Sequence, residues 1–254
     1  MIARIALGAL GVAMTVAVAA SAQAPAPVAP PACDVPDQFR YLTDDLPFMD
    51  QAVKRTHTLK VVVVGSASTV GPGAENAYPA RFEKELARRL PGVQVSVTVK
   101  AKSGFTAVDM VKTIKSEVIP AKPALVIWQT GTVDAVQGAN AETFADSLVA
   151  GIEALHKASI DVILMDMQYS PFTSSMVNLE LYRKLMIWVA QRRDVFLFHR
   201  YDLMHYWSEN QIFDLGVTDR AEQRRVADTI HGCIGQMLAQ AVLSNRDVAR
   251  EPSR

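Results

Sequence analysis

The stretch Leu59-Lys60-Val61-Val62-Val63-Val64-Gly65-Ser66-Ala67-Ser68-Thr69 decides the fold. Four consecutive valines show no polar alternation, so a strand here is covered on both faces rather than on one. Gly65 and the small residues after it end that strand in a turn. A doubly covered strand followed by a turn is the opening unit of an α/β sheet.

The same pattern repeats along the chain. Tyr78 to Leu90 has Phe82, Leu86 and Leu90 on one helical face and Arg81, Glu83, Lys84 and Arg88 elsewhere. Val93–Val99, Ala124–Trp128, Asp161–Met165 and Val195–Phe198 read as four more strands, and Thr106–Val118, Ala141–Ala158, Leu179–Arg192 and Asp219–Ser244 as helices. Pro120 is expected to help end the second of these helices. The expected architecture is a three-layer α/β/α sandwich on a five-stranded parallel sheet of flavodoxin-like type. Ligands of such sheets bind beyond the carboxyl ends of the strands. That places Ser66–Gly73, Ala101–Phe105 and Gln129–Asp134 around one crevice.

Of 254 residues, half are hydrophobic, and 26 basic residues balance 26 acidic ones. One globular domain fits that length, and zero formal charge gives no electrostatic case for nucleic acid or an anionic membrane. Residues 1–22 read as a cleavable signal peptide: Arg4 closes a positive start, Ile5–Ala20 is apolar, and Ala20-Ser21-Ala22 suits a signal peptidase. Export to a periplasm is the expectation, with no stable membrane span after cleavage. Residues 23–34 form a Pro/Ala-rich tether, 35–58 an N-terminal helical arm, 59–244 the domain and 245–254 a tail. Cys33 and Cys233 are the only cysteines, and in an oxidising compartment they are expected to pair.

Three further stretches carry the chemistry: Gly104-Phe105-Thr106-Ala107-Val108-Asp109-Met110, Gly131-Thr132-Val133-Asp134 after an apolar strand, and Phe213-Asp214-Leu215-Gly216-Val217 before the last helix. With Gly65-Ser66-Ala67, they resemble in order and spacing the four blocks of the SGNH (GDSL) hydrolase superfamily, over about Leu59 to Val242. The resemblance implies a crevice with Gly65, Gly104, Gly131 and Thr132 in its lining, and Gly104 as an oxyanion-hole donor. It also shows departures. Ala67 stands where the family carries its nucleophilic Ser, Val133 where it carries an Asn carboxamide, and Val217 where it carries the His that follows Asp214. A methyl group cannot attack an ester. Losing an oxyanion donor costs about 10²–10³ in rate, and losing a nucleophile or base on the order of 10⁶.

The resemblance therefore implies a degenerate, non-catalytic member that binds an acyl or glycan ligand, or a protein partner, at the old crevice. One alternative is a serine ester hydrolase with a relocated nucleophile, Ser66 or Ser68, and a base drawn from His199, His205 (oriented by Asp202) or His231. A second is a phosphate or flavin binder using the hydroxyls after the first strand. Gly71-Pro72-Gly73 intervenes before the helix at Tyr78, and no Gly-x-Gly-x-x-Gly is present. No cofactor is implied, and no His or Cys pair has metal-ligand spacing. Asp166 and Gln168 follow the fourth strand and could line the pocket.

Overall fold

A computed structural model describes residues 33, 35–36, 39, 45–71 and 76–248. The signal-peptide and tether expectations fall outside them, apart from Cys33. Among the described residues no helix is long and apolar enough to cross a membrane.

In chain order the elements are α1 (Pro47–Thr56), β1 (Thr58–Gly65), α2 (Ala67–Val70), α3 (Tyr78–Arg89), β2 (Gln94–Ala101), α4 (Ala107–Thr113), a π-helical turn (Ile114–Val118), α5 (Ile119–Ala121), β3 (Leu125–Gln129), α6 (Thr132–Val136), α7 (Ala141–Lys157), β4 (Asp161–Met165), α8 (Pro171–Met176), α9 (Glu180–Arg192), β5 (Phe196–Phe198), α10 (Arg200–Glu209) and α11 (Arg220–Val248). The five strands pair in parallel in the order β2-β1-β3-β4-β5. That order reverses direction between β1 and β3, which puts the ligand crevice at the ends of those two strands.

The valines of β1 show why the sheet needs two helical layers. Val61 and Val63 face a core with Phe82 and Leu86 of α3 and Ile234 and Leu238 of α11. Val62 and Val64 face a second core with Met110 of α4 and Phe144 and Leu148 of α7. Successive strand residues point to opposite faces, so an uninterrupted apolar run serves both cores. Each buried large side chain contributes roughly 1.5–3 kcal/mol. Asp161 opens β4 from a buried position, and its Oδ2 accepts from the Met49 backbone N–H at 2.7 Å, tying α1 to the sheet.

Three boundaries differ from the sequence reading. Of the N-terminal arm, α1 is the helical part described, and Thr58 already belongs to β1. Pro120 does not stop its helix: the chain passes through the π-helical turn and ends only after Ala121, where Lys122 is left-handed. The last helix extends to Val248, four residues into the segment read as tail. The structure joins Cys33 to Cys233, with Cα atoms 5.3 Å apart.

Candidate functional site

β1 ends at Gly65, where an added Cβ would collide with the Thr69 side chain, so the turn closes only around glycine. Ser66 is extended and buried, and the chain coils at once into the short α2. Sequence reasoning missed this turn; it had expected a longer loop before Tyr78. It exposes the Ala67 methyl, half-buries Ser68 and buries Thr69. The second block adjoins this turn, since Lys102 N–H donates to the Gly65 carbonyl at 3.4 Å. Gly104, at φ +81°, makes an exposed corner, and Thr106 then caps α4 in a reciprocal pair with Asp109.

The third block is held by a buried carboxylate. Asp134 Oδ1 accepts from the Ala107 N–H at 2.9 Å, joining the β3 turn to the start of α4, and burial raises its pKa. Gly131 adopts φ +96° beneath Met167, which a Cβ would strike at 2.7 Å. Thr132 and Val133 are half-buried beside it.

Ser68 is the centre of the polar network. Its Oγ accepts from Gln129 Nε2 at 2.6 Å and from Arg200 Nη1 at 3.3 Å. Gln129 is the last residue of β3, and Arg200 the first of α10. Arg200 is 1% exposed, and its Nη2 donates to Gln168 Oε1 at 3.3 Å. Both Arg200 bonds are long, and its Nε has no partner. Burial lowers the guanidinium pKa, but the group remains a donor that cannot take a proton.

None of the three candidate histidines is a hydrogen-bond partner of Ser66 or Ser68. His231 is packed in α11, where its Nδ1 accepts from the Tyr78 N–H at 2.9 Å. Burial, with Arg200 and Arg81 nearby, pushes its pKa down to about 3. Asp228 pairs with Arg81 at 2.7 Å instead of with this histidine. His205 lies 3.4 Å from Glu209 and edge-on to Tyr169. Asp202 does not orient His205; it hydrogen-bonds Arg183 and lies 3.6 Å from His199 Nδ1. His199 also lies 4.0 Å from Asp166, whose other oxygen accepts from the Tyr201 N–H at 2.8 Å. Burial pushes the Asp166 carboxyl up to about 7.

The fourth block meets Arg200 from the other side. Asp214 and Val217 line a cavity of about 260 Å³ together with Gln168, Arg200, Ile230 and His231. Among the described residues Gly65, Gly104, Gly131 and Thr132 do not line it. The structure thus places Gln168 at the cavity, as the sequence suggested, but not Asp166, and adds Arg200 to its lining, while Gln129 joins the network at Ser68. Arg200 gave no sequence signal beyond its place two residues after a strand.

The model of the non-GDSL lipase-like family matches residues 32–247. The chain belongs to the non-GDSL lipase-like family. Its fold is that of the SGNH (GDSL) hydrolases. A lipase/acylhydrolase from Enterococcus faecalis superposes with a TM-score of 0.56 at 21% identity, over 77% of this chain and 99% of that one. A variant of an acetyl-xylooligosaccharide esterase from Geobacillus does so with a TM-score of 0.58 at 18% identity, over 77% and 97%. At these identities the likeness establishes the fold alone. No curated protein matches the chain. Among the described residues no group of three or more His, Cys, Asp or Glu side chains could hold a metal ion.

Proposed function

We propose that this member of the non-GDSL lipase-like family is an exported, non-catalytic binding protein that uses the old active-site crevice to hold a small acyl or glycan ligand or a protein partner. One observation carries this reading: the Ser68 hydroxyl oxygen accepts from two donors, one of them the Arg200 guanidinium, while Ala67 presents a methyl group at the family's nucleophile position. Nucleophilic attack needs the opposite arrangement, a base that draws the proton off the hydroxyl. A donor-only cation beside the oxygen supplies no such acceptor. The disulfide suits an oxidising compartment, which agrees with an N-terminal export signal.

The test is hydrolysis of short p-nitrophenyl esters by the purified protein. The expected rate equals that of buffer. Turnover that disappears in Ser66→Ala or Ser68→Ala protein would instead establish a relocated esterase. Export is checked by fractionation, with the mature N-terminus expected after Ala22.

A further inference from the structure

Arg200 is a buried cation with no carboxylate in hydrogen-bond contact: among the described residues its hydrogen-bond partners are the neutral Ser68 and Gln168, and the buried Asp166 carboxyl acts on it only from a longer distance. It lines the cavity of about 260 Å³ bounded by Gln168, Met204, Val217, Ile230 and His231. The neutral groups around it also present donors. Gln168 Oε1 is taken by Arg200, which leaves its amide N–H groups. His231 Nδ1 accepts from Tyr78, which fixes the neutral tautomer with the proton on Nε2. Met204, Leu215, Val217, Val226 and Ile230 supply an aliphatic wall, with Tyr169, Ser170 and Gln223 at other points of the lining. Asp214 opposes a highly charged guest, but its Oδ1 is turned onto the Gly216 N–H and the residue is exposed. The volume lies below the range of about 300–1,000 Å³ usual for drug-sized ligands, so the guest is small.

We propose that this cavity binds a small carboxylate with an aliphatic body, the head pairing with Arg200 and the body lying on Met204, Val217 and Ile230. The inference rests on the non-catalytic binding role and names its ligand class. A carboxylate matches the fork of a guanidinium, and it would supply the directly bonded anion that Arg200 lacks. A dianion would leave charge uncompensated beside Asp214.

The test is calorimetric titration of the disulfide-bonded protein with sodium octanoate, 1-octanol and sodium phosphate. Octanoate is expected to bind about tenfold or more tightly than octanol, with no phosphate binding in the same range. Arg200→Met is expected to weaken octanoate by about tenfold or more and to leave octanol unchanged. Should that variant not fold, the wild type decides through the carboxyl pKa of [1-13C]octanoate, which a cationic partner lowers on binding. Octanol binding as tightly as octanoate, phosphate binding more tightly, an unlowered carboxyl pKa or no binding at all would each overturn the proposal. Equal binding of octanol and octanoate would leave the binding role standing. Hydrolysis of p-nitrophenyl octanoate would overturn the non-catalytic role while leaving the octanoate titration readable.

Discussion

A guanidinium held at 1% exposure with hydrogen bonds to neutral partners alone is costly, because the penalty for burying an ion amounts to several kcal/mol and the more distant Asp166 offsets it only in part. Its neighbours reflect that charge. His231 is held neutral by burial and by Arg200, whereas burial lifts Asp166 to about 7 even with Arg200 and Arg183 opposing the shift. The two residues bend stability in opposite directions with pH. Asp166 has a folded pKa above its ordinary 3.8, so its contribution is complete below that value and is lost as pH rises toward about 7. His231 falls from 6.5 to about 3, so its contribution is complete above 6.5 and is lost as pH falls toward 3. Asp161, lifted to about 6, adds to the first trend. Asp166→Asn mimics the protonated acid and keeps an acceptor for the Tyr201 N–H. The variant should gain about 1–4 kcal/mol relative to wild type between about pH 4.5 and about pH 7.5, read from urea unfolding at both. The same difference at both pH values would show that Asp166 ionises normally.

Among the helices, α3 and α11 share the most extensive contact. Gly235 of α11 meets the α3 backbone so tightly that an added Cβ would lie 2.6 Å from Arg81 Cβ and 2.9 Å from the Phe82 nitrogen. Gly235→Ala should therefore destabilise by about 1–3 kcal/mol, measured as a lower urea midpoint with unchanged slope. Gly232, where an added Cβ would lie 4.0 Å from the Arg81 guanidinium, should accept alanine without that loss. Element type was legible wherever burial imposed a period. All five strands and the long helices lie within a few residues of their expected places, because runs such as Val61–Val64 and Ile163–Met165 have no polar face to misread. The short helices were not legible. α2, α6 and α8 have four to six residues, too few to show a period, and α10 mixes Arg200, Asp202 and His205 among its aromatic and apolar residues. The site suffered most from this. Its blocks could be located by order and spacing, but the residue that joins them opens α10, and a lone arginine reads as solvated until the packing is known.

At the scale of the whole molecule, the described residues of the domain are clamped by one covalent bond between positions 200 residues apart. Removing it with Cys33→Ser should cost about 2–5 kcal/mol, and reductant should impose the same loss on the wild type but none on the variant. Equal melting temperatures would show that the sheet and its two cores suffice alone. With only two cysteines in the chain, a molecule cannot mispair with itself. Cys33 emerges from the ribosome long before Cys233, and its partner in this chain does not exist until 200 further residues have been made. Oxidation before then can only tie Cys33 to another molecule, so correct maturation depends on delaying it until Cys233 is available.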